Sequence, residues 1–138
     1  MKHFIHQQTT TAPKSAIWRV WSDVTNWHQW DTELESASLT GSFGAHAKGT
    51  LKPKNSPKSP FVITEYTEGK SFTFTVPMPM AKLHVAHYFT SDKPTTFVHE
   101  VTFTGLLGGV FGRILGRGYE KALPNVLKRI KELAENEK

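Results

Sequence analysis

Residues 80–133 read MAKLHVAHYFTSDKPTTFVHEVTFTGLLGGVFGRILGRGYEKALPNVLKRIKEL, and their hydrophobic period changes once. From Met80 to Thr90 and from Thr95 to Thr104 apolar and polar residues alternate, as on two half-buried strands. Ser91-Asp92-Lys93-Pro94 is the turn between them. If Phe89 pairs with Phe97, then His87 faces His99, Val85 faces Val101 and Leu83 faces Phe103, all on one face. Lys82, His84, Glu100 and Thr102 fall on the other. From Leu106 the period becomes helical. Phe111, Ile114, Leu115, Gly118, Tyr119, Ala122, Leu123, Val126, Leu127, Ile130, Leu133 and Ala134 trace a wide apolar stripe, opposed by Lys128, Arg129, Lys131, Glu132 and Glu135. Lys138 at the end suits the helix dipole. Pro124 predicts a kink, and glycines 108, 109, 112, 116 and 118 weaken the first half by roughly 1 kcal/mol each relative to Ala.

Upstream, residues 3–11 read as a strand ending at Ala12-Pro13, with Pro13 in the first turn of a helix. Ile17, Val20, Trp21 and Val24 keep helical spacing. Thr25 or Asn26 is the expected cap of a second short helix carrying Trp27 and Trp30. Strands follow at Leu34–Gly41 and Ala45–Pro53, with Phe43 in the turn between them. Residues 52–60 hold three prolines and form a loop. Phe61–Tyr66 and Phe72–Val76 are further strands, and Pro77-Met78-Pro79 interrupts the chain before Met80. A strand, two short helices, six more strands and one long helix predict an α+β domain: a curved seven-stranded antiparallel sheet wrapped around the C-terminal helix.

The 138 residues form one domain, 1–138, by size. The chain has no cysteine, which excludes disulfides, thiolate zinc sites, iron–sulfur clusters and a Cys nucleophile. A net charge of +5, spread along the chain, does not point to nucleic acid. No secretory leader is visible at Met1–His6, and no run approaches the ~18 apolar residues of a membrane span. A cytoplasmic protein without integral membrane association is the expectation, its oligomeric state left open.

Several residues carry the resemblance to a known family. They are Thr11-Ala12-Pro13, Trp18, Trp21-Ser22-Asp23-Val24, Trp27 and Trp30-Asp31 at the start, then Gly49, Phe61 to Glu65, His87 and His99. Gly105, Phe111, Gly118 and Leu123-Pro124 complete the series. In this order they resemble the SRPBCC superfamily, the START-like and Bet v 1-like helix-grip proteins, in its bacterial polyketide cyclase/dehydrase-like branch. The resemblance covers essentially the whole chain. It implies a hydrophobic cavity between sheet and long helix that takes a lipid, polyketide or other apolar molecule.

Three functions are expected. The first is binding of an apolar small molecule, with Trp30, Phe61, Phe72, Phe74, Leu83, Val85, Phe89, Phe97, Val101 and Phe103 on the sheet side and Phe111, Leu115 and Tyr119 on the helix side. The second is a cyclase or dehydratase in which His87 and His99 act as acid and base, helped by Tyr66 or Tyr88 if they face inward. The alternative for the histidines is a buried neutral pair. The third is a protein-interaction module, which requires an exposed apolar patch. All four Trp lie between residues 18 and 30, either as a ligand wall or as anchors for the short helices. Glycines 108, 112 and 116 either pack the helix closely on the sheet or leave room for ligand. Lys52, Lys54 and Lys58 either attract anions or keep a loop solvated. No cofactor is expected and no metal, because the two histidines have no third ligand at motif spacing. Gly108-Gly109 lacks the context of a phosphate loop, and no nucleophile elbow occurs.

Overall fold

A computed structural model of the chain describes residues 2–54 and 56–136. Lys138 therefore lies outside the described residues. The elements are β1 (Lys2–Thr10), α1 (Lys14–Ser22), a 3-10 helix (Val24–Gln29), β2 (Leu34–Thr40), β3 (Lys48–Pro53), β4 (Ser59–Thr67), β5 (Ser71–Met78), β6 (Ala81–Asp92), β7 (Thr95–Thr104) and α2 (Gly108–Glu135). The strands form one antiparallel sheet in the order β1-β7-β6-β5-β4-β3-β2. This is the helix-grip fold expected from the order of periods.

The decisive register holds: Phe89 pairs with Phe97, His87 with His99, Val85 with Val101 and Leu83 with Phe103. All but half-buried Phe89 are buried on the concave face. β6 extends through Ser91 and Asp92, so the connection shortens to Lys93-Pro94, joined by a cis peptide bond. A bulge between Phe89 and Ser91 absorbs the extra length. Pro77 and Met78 do not interrupt β5 but belong to it. The ladder with β4 ends at Thr75, so Pro77 sits where β5 has an open edge, a position that tolerates proline. β3 starts at Lys48 instead of Ala45, because residues 44–47 turn back toward β4, His46 donating to the Ile63 carbonyl.

Pro13 is the N-cap of α1, one residue earlier than expected. The 3-10 helix is capped by Asp23, neither by Thr25 nor by Asn26; the Asn26 amide donates to Asp23 Oδ2 at 2.7 Å. In α2 no break occurs at Pro124. Its ring is on the exposed side, where water reaches the Glu120 carbonyl that lost its donor.

The concave face is filled by aromatic rings. Trp27 lies 5.4–6.2 Å from Phe61, Phe72 and Phe74, and its indole N–H donates to the Trp21 carbonyl at 2.8 Å. Trp18 meets Trp21, Phe43, Tyr66 and Phe72. Each such ring hides about 150–250 Å², which fixes two helices too short to be stable alone. Gly49 allows this packing, since a Cβ there would stand 2.6 Å from the Phe61 ring and 2.3 Å from the Ser38 carbonyl.

Candidate functional site

The two histidines stand side by side on β6 and β7, rings 4.3 Å apart. Both are at 1–2% exposure. His87 stacks on Phe72 at 4.0 Å and 6°. Its Nδ1 lies 3.3 Å from the Phe72 carbonyl and donates to it. Trp21 Nε1 donates to His99 Nε2 at 3.1 Å, which places the His99 proton on Nδ1 in the neutral ring. Burial pushes His87 down to about 3, against the smaller upward pull of the Phe72 and Val85 backbone groups. His99 is pushed well down by burial first and by His87 second. In this state each ring keeps one N–H, and neither carries the second, acidic proton of an imidazolium at neutral pH. Trp21, Trp30, Phe72, Phe74 and Phe97 close around it. The convergence foreseen from the register is present, inside a packed aromatic core. Of the two tyrosine helpers, Tyr88 points away: its hydroxyl donates to Glu100 Oε1 at 2.8 Å on the convex face. Burial and that carboxylate push it to about 12. Tyr66 is inward and half-buried, but the Phe72 ring stands between it and His87.

The other expected lining residues separate into three groups. Phe61, Phe72, Phe97, Val101 and Phe103 are packed to 0–2% exposure. Phe74, Leu83 and Val85 retain 6–8%, as does Val76, which was not among the expected lining residues; Phe74 pairs with Val85 and Val76 with Leu83. This strip of β5 and β6 lies beside α2, which packs chiefly over β1 and β7. Tyr119 and Phe111 of α2 are half-buried, and the Tyr119 ring sits 5.9 Å from Phe103, the partner of Leu83. Leu115 is not with them: it is 38% exposed, on the outer side of α2. Phe89 is half-buried below Trp21 at 4.9 Å, with Lys14 Nζ 5.1 Å from its ring centre. Trp30 is buried against His99 and Trp27, and its Nε1 has no hydrogen-bond partner among the described residues.

The family pattern described as polyketide cyclase / dehydrase and lipid transport matches residues 1–135. The chain belongs to this family. That places it in the SRPBCC superfamily, in agreement with its likeness to three solved structures. TTHA0849 from Thermus thermophilus is 16% identical, with 96% of this chain and 97% of that one aligned at a TM-score of 0.72. Zhui aromatase/cyclase from Streptomyces sp. R1128 is 14% identical over 97% and 93%, with a TM-score of 0.75. Ara h 8.0201 is 12% identical over 98% of both chains, with a TM-score of 0.74. At these identities the likeness is one of fold. No curated protein sequence matches the chain.

In this member of the polyketide cyclase/dehydrase and lipid transport family, sequence reasoning gave Asp31 the default role of a cap and missed its environment. Asp31 Oδ1 accepts the Glu33 backbone N–H at 3.1 Å, the ordinary role of an Asp at a strand entry. Burial, opposed by that bond, also raises it to about 6. Tyr119 is raised to about 12 by burial and by the nearness of Asp31 and Glu33. Asp31 and Tyr119 are 88 residues apart, and only the closure of α2 over the sheet joins them. A second missed group is on the convex face. There His84 bridges Thr75 and Thr104, both at 2.9 Å, and Thr75 meets Thr64 at 2.8 Å. Strand alternation had set His84 on that face without revealing the chain of bonds. A cleft of about 670 Å³ opens elsewhere, between α1, the 3-10 helix and the end of α2, lined by Val20, Ser22, Asp23, Asn26, Gln29, Trp30 and Leu133 among others. Among the described residues no group of three or more His, Asp or Glu is placed to hold a metal ion. No helix among them is long and apolar enough to cross a membrane.

Proposed function

We propose that the protein binds an apolar small molecule carrying a carbonyl or hydroxyl group, along the Phe74–Val76–Leu83–Val85 strip beside the first half of α2. The observation that carries this reading is the 6–8% exposure kept by those four side chains, against 0–2% at Phe61, Phe72, Phe97, Val101 and Phe103. An apolar surface bordered by a few polar groups is the usual make-up of a small-molecule site. Tyr119, whose ring lies against Phe103 beside Leu83, keeps its proton at all ordinary pH and is an O–H donor at the border of the strip. Membership of a family described by polyketide cyclisation, dehydration and lipid transport supports the same ligand class. The buried neutral histidines support binding over acid–base chemistry by His87 and His99, because neither ring is an imidazolium at neutral pH and both are at 1–2% exposure, away from any substrate.

Titration with a neutral polycyclic dye, read by fluorescence, tests the proposal. About one dye per chain is expected, displaced by fatty acids or flat polycyclic ketones. Val76→Phe is expected to fill the strip and abolish dye binding while the melting temperature stays near that of the parent. A sealed strip gives the opposite result, a loss of roughly 1–3 kcal/mol from overpacking. Failure of a broad apolar library to raise the melting temperature contradicts the binding reading.

A further inference from the structure

One end of the molecule exposes an apolar row that the interior does not use. Leu106 is 77% exposed, Val110 51% and Ile114 67%, four residues apart and so on one face of α2 and the turn before it. Met80, 62% exposed, adjoins them, because its carbonyl accepts the Leu107 N–H at 2.9 Å. Gly105, at φ +94°, sits against Ala81 and Met80, where a Cβ would be 2.8–2.9 Å from the backbone, so the β5–β6 turn and the helix start share one tip. Pro79 is exposed on the same turn.

The charges beside this row are positive as far as Glu120. Arg113, Arg117 and Lys121 are exposed on α2, again four apart and interleaved with Val110 and Ile114, and Lys82 begins β6 at the same tip. No Asp or Glu occurs between Glu68 and Asp92 or between Glu100 and Glu120. The acids that face α2 here, Asp31 and Glu33, act on Tyr119. At 3.6 residues per turn Tyr119 lies half a turn round from Val110, on the inner side.

We infer that this tip docks on an anionic lipid surface, the row Met80–Leu106–Val110–Ile114 entering the headgroup boundary and Arg113, Arg117 and Lys121 facing the lipid phosphates. An exposed apolar helix face with cations interleaved along it is the pattern that partitions to such a boundary. A protein groove of the helix-binding kind would match the apolar row, but it would not require the cations Lys82, Arg113 and Arg117 beside it. The inference is independent of whether the interior strip holds a ligand.

The test is sedimentation of the full chain with vesicles of phosphatidylcholine mixed with phosphatidylglycerol, against phosphatidylcholine alone. Binding to the mixed vesicles, weakened by salt, is expected. Each cation near an anionic surface strengthens binding about fivefold, so Arg113→Glu/Arg117→Glu weakens it by at least about 25-fold. Val110→Ser/Ile114→Ser weakens it about tenfold or more with the melting temperature unchanged, because both side chains are exposed in the folded protein. Lys70→Glu/Lys93→Glu, on the β4–β5 and β6–β7 loops at the opposite end of the sheet, leaves binding near that of the parent. Three results overturn the inference: no preference for anionic vesicles, loss of binding in the loop variant with retention in the α2 variants, or a dimer that Ile114→Ser dissociates in a protein that ignores vesicles.

Discussion

The two halves of α2 are built differently. From Leu123 to Ala134 the helix buries Leu123, Val126, Leu127, Ile130 and Ala134 against the sheet and α1. Glu135 then ties it to β1, accepting from Thr10 Oγ1 at 2.6 Å. From Gly108 to Gly116 its fully buried residues are Gly108, Gly112 and Gly116. Its large apolar side chains are half-buried or point outward. The backbone approaches the sheet so closely that a Cβ at Gly116 would stand 2.3 Å from the Phe4 ring, and one at Gly108 3.1 Å from the Phe103 backbone. One half of the helix anchors the fold by side-chain burial. The other rests on backbone contact, spreads its apolar groups toward solvent and leaves the β5–β6 strip beside it incompletely covered.

This contrast fixes the order of expected effects. Leu127→Asp, at full burial in the anchoring half, is expected to unfold the protein, since an unpaired buried carboxylate costs several kcal/mol. Leu123→Asp has the same expected outcome. Ile114→Asp, in the other half, is expected to change stability by no more than about 0.5 kcal/mol. Equal losses in urea melts of the two halves would remove the distinction.

Next is the pH dependence of the sealed histidines. His87 and His99 have lowered folded-state values, so in mild acid the unfolded chain binds more protons than the folded one. Stability is therefore full above about pH 6.5 and falls as pH drops toward 3, by up to about 1.4 kcal/mol per pH unit for each ring. His87→Gln/His99→Gln flattens this fall. His84, lowered by burial and Lys82, and Asp31, raised, then act in opposite directions and leave a shallow residue. An unchanged pH profile in the double variant would show that the pair is solvated.

The smallest effects belong to the glycines. Nothing lies within 4 Å of a Cβ at Gly118, so Gly118→Ala is expected to stabilise by about 1 kcal/mol through helix propensity. At Gly116 the same gain is opposed by the Phe4 ring, and overpacking of roughly 1–3 kcal/mol outweighs it. Phe4→Ala should relieve the clash, so a double-mutant cycle in urea reads the contact directly.

Much of the fold was legible because burial on one face leaves a period. The β6–β7 register followed from matching Phe89 with Phe97, and the His87–His99 pairing came with it. The stripe of α2 was legible only where side chains fill it. At Ile114 and Leu115 helical spacing alone could not distinguish the core from the surface, because buried glycines had taken the inner positions. Glycines 108 and 116 took the close-packing course of their two readings. Trp18, Trp21 and Trp27 are anchors, their rings packed on Phe72 and its neighbours. The raised Asp31 carboxyl was not legible, since burial, its largest cause, depends on tertiary packing that leaves no period in the sequence.

The central claim is that the β5–β6 strip at 6–8% exposure, and not the histidine core, is where a ligand enters. Methyl NMR of the full chain titrated with a neutral polycyclic ketone tests it most directly. The account predicts that Val76, Leu83 and Val85 shift first, together with methyls near Tyr119, while Leu127 and Ile130 stay in place. Shifts centred on the surroundings of His87 and His99 with Val76, Leu83 and Val85 unmoved would contradict it.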